Sequence, residues 1–317
     1  MGGAAQPAGP PTASGWAGGV QSVRIREVGP RDGFQNEPEV IATYDKVRLI
    51  DQLGRTGLRR IEVTSFVRPD VIPQLADAAA VLEAIELPSD VSVSVLVPNE
   101  RGFERALEHR DRIHEVNVFL SASETHNRKN VNRSIAESLD GLERVIGRAR
   151  EAGLRCEGII STSFGCPYEG HVPPERVLEI ASKLIGFGDT TGMANPRQVA
   201  ELFPRWRAAL GGEVELTAHF HNTRGQGLAN VVAALQAGVD SFESSFGELG
   251  GCPVPKGATG NIATEDLVSM LHEMGHSTGI DLEKLLDASR AVRDVLGRPL
   301  TSHLLTAGPV DWHRPAG

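Results

Sequence analysis

Hydrophobic positions along this chain switch repeatedly between two periods. Short runs rich in β-forming residues occur at Val23 to Val28, Arg60 to Thr64, Val91 to Val97, Glu115 to Leu120, Cys156 to Thr162, Ile185 to Asp189, Val214 to His219 and Val239 to Ser244. They read as strands. Between them, Thr43 to Leu53, Asp77 to Ile85, Ile135 to Glu151, Pro196 to Ala209 and Leu228 to Ala237 carry apolar residues at helical spacing. The alternation predicts a parallel α/β sheet wrapped by helices. Eight candidate strands are the number that closes a (β/α)8 TIM barrel. Polar groups gather at or just beyond the strand ends: Arg31 and Asp32, Asn99, Ser123 and Glu124, Asp189, His219 and His221, with Glu62 inside the second strand. In a barrel those ends form one rim, where catalytic residues belong.

One junction breaks the rhythm. The helical stretch Pro174 to Leu184 runs straight into the strand at Ile185 with no turn, although such connections take about 2–6 residues and often place Gly at the cap. A short loop is expected to be missing there from the sequence as given, and an intact mass equal to 33.9 kDa would contradict that. Residues 1–20 are rich in Gly, Ala and Pro and read as a disordered tail. The remainder, 21–317, reads as one TIM-barrel catalytic domain with a C-terminal helical extension.

Composition narrows the class. At 317 residues and 40% hydrophobic content the chain can bury a full core. Its net charge of -9 argues against a nucleic-acid partner, which needs clustered Lys and Arg. Cys156, Cys166 and Cys252 lie 10 and 86 residues apart, fitting neither a disulfide framework nor a zinc pattern. A reducing, cytoplasmic setting follows. The first twenty residues lack the features of a signal or transit peptide, and no apolar run approaches the roughly 18 residues of a membrane span. A soluble protein able to form a homo-oligomer, a dimer, is expected.

The His219-x-His221 spacing at a strand end can place both imidazoles on one face, because strand side chains alternate. Asp32 offers a carboxylate at another strand end, and Asn261 an amide oxygen on a late loop. This mixed N/O set suits Mg²⁺ or Mn²⁺ better than zinc. Arg31 should point away from Asp32 and can serve a substrate oxyanion. Its structural alternative is an ion pair with Glu62 or Asp189, which would then orient it. Five glycines over the fifteen residues Gly247 to Asn261 suit a mobile active-site loop, and Cys252 on that loop is a candidate proton donor or acceptor. Cys166 reads as rim packing and Cys156 as interior. Lys129 to Arg133 reads as a basic loop able to meet carrier phosphates, so Lys129 and Asn130, with Gln35, are the candidate substrate contacts.

These motifs resemble the 3-hydroxy-3-methylglutaryl-CoA lyase family of metal-dependent barrel enzymes. The similarity runs from Val23 to Leu286. It is carried by Arg31-Asp-Gly-Phe-Gln-Asn-Glu37, Glu62-Val-Thr-Ser-Phe66, Ser121 to Asn130, Gly165-Cys-Pro-Tyr-Glu-Gly170, Gly188-Asp-Thr-Thr-Gly192 and Leu249-Gly-Gly-Cys-Pro253. The resemblance implies Asp32, His219, His221 and Asn261 as metal ligands, with Arg31 and Cys252 catalytic and His219 or Asp32 as base. It implies cleavage of a 3-hydroxy-3-alkylglutaryl-CoA thioester into acetyl-CoA and a 3-oxo acid. Four positions depart from the family pattern: Phe34 for Leu, Asn222 for Asp, Arg224 for Tyr and Glu248 for Gly. Phe34 and Arg224 are expected near the pocket, shaping acyl preference, and Glu248 is expected to alter loop closure. The alternatives are a Claisen-type condensing synthase, against which Phe34 stands where such enzymes carry Glu, and a non-catalytic acyl-CoA-binding barrel.

Overall fold

A computed structural model describes residues 21–181, 186–251 and 260–310. The expected tail, the junction at Leu184 and Ile185, and Cys252 lie outside the described residues. Eight parallel strands close in sequence order, with the first pairing with the last: β1 (Arg24–Glu27), β2 (Arg60–Ser65), β3 (Ser92–Leu96), β4 (Glu115–Ser121), β5 (Arg155–Ser161), β6 (Phe187–Asp189), β7 (Thr217–Phe220) and β8 (Ser241–Ser244). The described helices are α1 (Thr43–Gly54), α2 (Ala78–Ala84), α3 (Glu100–Leu107), α4 (Glu124–Val131), α5 (Ile135–Glu151), α6 (Pro174–Ala181), α7 (Pro196–Leu210), α8 (Gly227–Gln236), α9 (Thr264–Glu273), α10 (Leu282–Leu296) and α11 (His303–Ala307). None is long and apolar enough to cross a membrane.

The strand alternation decides where the core sits. Ile25, Val63, Val93, Val116, Val118, Ile160, Ala218 and Phe242 are buried in the hydrophobic core with the apolar stripes of the helices. Many of the alternate positions carry polar groups instead, among them Arg26, Glu62, Glu115, Asn117 and Glu243. Arg26 is fully enclosed and ion-pairs with Glu115, Glu157 and, at 2.7 Å, Glu243. On the neighbouring strand, paired with Arg26, Arg60 reaches Glu115 at 2.9 Å, Glu157 at 2.7 Å and Glu215 at 3.0 Å. Barrel interiors are ordinarily filled by branched apolar residues, so here ion pairing replaces part of that packing.

Two polar groups expected on the rim, Asn99 and Ser123, serve there as helix caps. Asn99 accepts from Gly102 N at 3.0 Å to start α3, and Ser123 accepts from His126 N at 3.1 Å to start α4. Capping satisfies backbone N–H groups that a helix start leaves unpaired. Glu124 accepts from Ile135 N at 2.9 Å, tying α4 to α5. Lys129 to Arg133 is not a loop throughout: Lys129 and Asn130 stand in the last turn of α4, which ends at Asn132 in the left-handed conformation.

Candidate active site

Immediately after β1 the chain makes one π-helical turn, Gly29–Gly33, of the kind found at functional sites. A side chain at Gly29 would lie 2.7 Å from both Glu27 Oε1 and the Phe246 ring, so only glycine fits. The turn brings Arg31 and Asp32 to the same side. This corrects the expectation that they diverge: Arg31 Nη1 donates to Asp32 Oδ1 at 2.5 Å while its Nε donates to Glu62. Glu62 is held in turn by Asn117 Nδ2 at 2.6 Å. Asp189 does not pair with Arg31. Its Oδ1 accepts from Met193 N at 2.8 Å and Ala194 N at 3.0 Å, shaping the turn after β6, and its Oδ2 has no hydrogen-bond partner among the described residues.

β7 delivers the imidazoles. His219 Nδ1 lies 2.8 Å from Glu243 Oε2, on the paired position of β8, which fixes the ring and turns Nε2 outward. His221 Nε2 faces it at 3.0 Å. Asp32, His219 and His221 offer ligand atoms that all lie within 4.8 Å of one another. Asn261 stands beside them, bridged to His221, and its Nδ2 donates to Asp32 Oδ2 at 2.8 Å. The buried Asn261 Oδ1 and His221 Nδ1 find no partner among the described residues. Two imidazole nitrogens aimed at one point, a carboxylate and an unsatisfied amide oxygen fit a divalent cation.

The electrostatics of Asp32 and His221 agree with that use. Burial opposes ionisation of Asp32, but Arg31 and the two imidazoles outweigh it and hold its pKa below the ordinary carboxylate value. Burial, reinforced by His219, pushes His221 down to about 3, leaving a neutral ligand. Burial also works against a charged His219, but Glu243 overcomes it and raises the pKa. Asp189 is pushed up to about 7 by burial.

A cavity of about 930 Å³ opens above the cluster. Arg31, Asp32, His219 and His221 line it, with Leu96, Phe119 and Ile159 forming an apolar wall and Arg68, Lys129, Asn130 and Arg133 among its polar lining. Gln35 lines it too and donates to Asp32 Oδ1 at 2.8 Å. Lys129 Nζ stands 4.8 Å from the centre of the Tyr168 ring. Phe34 and Arg224 do not line this space. Phe34 is fully buried against Phe246, with ring centres 5.5 Å apart. Arg224 donates to the carbonyls of Thr191 at 3.1 Å and Gly192 at 2.7 Å. Cys166 is buried as expected, its Sγ 3.0 Å from Ser123 Oγ; Cys156 is only half-buried.

The sequence reading missed Asn117, Glu243 and Arg26, although each occupies a polar position in an otherwise apolar alternation. It also missed Glu27, which accepts from Thr264 Oγ1 at 2.6 Å, Gly29 N at 2.7 Å and Phe246 N at 3.1 Å. Burial outweighs these bonds and pushes the Glu27 carboxyl up to about 8 from 4.5. A raised carboxyl pKa stabilises the fold fully below about 4.5 and loses that contribution as pH rises through about 8. Glu27→Gln is therefore expected to flatten the decline of Tm over this window, and an unchanged slope in a melting series would contradict it.

Fold and site together define a barrel enzyme with a buried cluster, Asp32, His219 and His221, that could hold a metal ion, and a fixed arginine at its edge. The HMGL-like family matches residues 22–292, and the chain belongs to this family. It is 49% identical to a hydroxymethylglutaryl-CoA lyase of Bacillus subtilis over 292 residues, covering 90% of this chain and 97% of that protein. It is 43% identical to the mitochondrial hydroxymethylglutaryl-CoA lyase of Gallus gallus over 297 residues, covering 90% and 98%. A solved HMG-CoA lyase from Acinetobacter baumannii, in complex with coenzyme A and 3-methylmalate, superposes with a TM-score of 0.88 at 40% identity, covering 93% of this chain and 98% of that one.

Proposed function

We infer that the protein is a carbon-carbon lyase that cleaves 3-hydroxy-3-methylglutaryl-CoA into acetyl-CoA and acetoacetate. The observation that carries this reading is the Asp32, His219 and His221 cluster set beside Arg31 at one cavity, in a chain whose relatives bear that activity in their names. An apolar wall and a partly basic lining suit an acyl-CoA thioester, and the coenzyme A held by the Acinetobacter protein supports that substrate class.

Asp32, His219 and His221, with Asn261, would hold the cation, for which the donor set favours Mg²⁺ or Mn²⁺. When bound, such an ion supplies Lewis acidity that lowers the pKa of the tertiary hydroxyl. The hydroxyl passes its proton to a base, for which Asp32 and His219 are the candidates, and becomes the ketone of acetoacetate as the bond from C2 to C3 breaks. The electron pair passes to C2 as a thioester enolate, which takes up a proton to give acetyl-CoA. Arg31 is locked by Glu62 and Asp32 before substrate arrives, so its remaining N–H groups meet the enolate oxygen without reorganisation. The ligand role of His219 competes with a role as base, because one Nε2 lone pair cannot serve both. Its Nδ1 contact with Glu243, which aims Nε2 at His221, favours the ligand role. Cys252 is proposed to move a proton at C2 or at the hydroxyl, and the free cysteines Cys156 and Cys166 suit the cytoplasm as compartment.

Purified protein given 3-hydroxy-3-methylglutaryl-CoA is expected to release acetyl-CoA and acetoacetate in equal amounts. Consumption of acetyl-CoA with a 3-oxo acid, and no cleavage, would point to the condensing alternative.

A further inference from the structure

The turn from Phe246 to Glu248 ends on a residue whose backbone suits glycine: Glu248 has φ 63°. A non-glycine residue persists in that left-handed region only when its surroundings hold it there. The side chain of Glu248 is buried rather than solvated. Its Oε1 accepts from Asn222 Nδ2 at 2.6 Å, and Thr301 also hydrogen-bonds the carboxylate.

Asn222 directly follows His221 and is itself fully engaged. Its Oδ1 accepts from Gly227 N at 3.2 Å at the start of α8, and its backbone N donates to Gly260 O at 3.1 Å. Gly260 lies so close to the turn that a side chain there would come within 1.9 Å of Glu248 O. The next residue, Asn261, donates from Nδ2 to Leu249 O at 3.0 Å and to Asp32 Oδ2 at 2.8 Å. Asn222 therefore grips both approaches to the cation cluster, Glu248 by its side chain and Gly260 by its backbone. Neither Asn222 nor Glu248 lines the cavity, so neither touches substrate.

We propose that the hydrogen bond between Asn222 and Glu248 is a positioning latch, docking the 246–248 turn on the end of β7 and so setting Asn261 against Asp32 and the imidazoles. The proposal rests on the cation-site reading given above. Losing the latch frees the left-handed turn to relax, and Leu249 and Asn261 move with it. Cation affinity and turnover then fall together, while the thioester-binding wall is untouched.

Calorimetric titration of Mn²⁺ into wild type and variants, beside steady-state kinetics, tests this. Asn222→Asp sets one carboxylate against another and is expected to weaken Mn²⁺ binding on the order of ten-fold, the lower end of what outer partners of metal ligands contribute. The turnover number should fall with it and KM for the thioester should hold. Glu248→Gln keeps an acceptor for Asn222 and should stay near wild type. In the combined variant donor and acceptor exchange places, the Gln amide donating to the Asp carboxylate, and most of the lost affinity should return. A purely structural role would show as a lowered Tm with no such recovery. Unchanged Mn²⁺ affinity in Asn222→Asp, or a combined variant no better than the single one, overturns the latch. If Asn222→Asp does not fold, Glu248→Ala removes the same bond, and wild-type affinity in that variant overturns the latch equally. Wild type that binds no Mn²⁺ overturns the cation site and the latch together.

Discussion

Arg31→Met is expected to lower kcat by about 10³-fold, some 4 kcal/mol of lost transition-state stabilisation, with a much smaller change in KM. The guanidinium is immobilised by Glu62 through Nε and by Asp32 through Nη1 at the edge of the cavity. Its charge is secured there because Glu62 and Asp32 overcome the cost of burial and raise its pKa. A fixed cation in a water-poor site stabilises an enolate oxygen more than the neutral thioester carbonyl, so the loss falls on the chemical step. Arg31→Lys should recover little, since an ammonium cannot reproduce a fork that reaches Glu62 and Asp32 while leaving donors for substrate. Single-turnover kinetics check this, and a Met variant within ten-fold of wild-type kcat would remove Arg31 from the chemistry.

The second large effect is on stability. Arg26→Leu is expected to cost about 3–5 kcal/mol, the usual penalty for stranding one side of a buried ion pair. Arg26 holds Glu243 Oε1 in the barrel interior and shares Glu115 and Glu157 with Arg60. Glu243 carries the consequence upward, because its second oxygen holds His219. Arg26 and His219 hold the Glu243 pKa far below the ordinary carboxylate value, against the effect of burial. The wild-type stability contributed by Glu243 is therefore present above about 4.5 and lost as pH falls below it. Without Arg26 the interior carboxylates take up protons more readily, so the deficit should be largest near neutral pH and shrink on acidification. Urea unfolding at about pH 7.5 and pH 5 measures this, and a pH-independent deficit would assign the loss to packing rather than charge.

The barrel was legible because each strand carries a β-branched or aromatic run that a parallel sheet must bury. Strand starts and ends either match the expected ones, as at Arg60, Glu115, Asp189 and Ser244, or differ by up to three residues, as at β7, which begins at Thr217 rather than Val214, because boundaries depend on pairing. The cluster that could hold a cation was legible too, since His219, His221 and Asp32 are unusual residues at strand ends. The partners of these residues were less visible. Glu243 meets His219 only because β7 and β8 pair in that register, and register is not written in one strand. Yet the alternations in Arg24-Ile-Arg26, Glu115-Val-Asn117-Val118 and Ser241-Phe-Glu243 already signalled a polar interior, since the apolar face of each strand needed the helices. The mutual contact of Arg31 and Asp32 was hidden for a different reason: it depends on a π turn, which no periodicity announces. Phe34 and Arg224 looked like specificity residues by position, but the same turn buries one and backbone carbonyls hold the other.

The most direct measurement is acetoacetate release from 3-hydroxy-3-methylglutaryl-CoA by purified protein, after chelation and again after Mn²⁺ or Mg²⁺ is restored, with His221→Ala alongside. Release that vanishes with chelator, returns with the ion and is lost in the variant is the predicted result. Full activity in chelator, or an ion response that survives His221→Ala, would contradict a lyase working through the Asp32, His219 and His221 cluster.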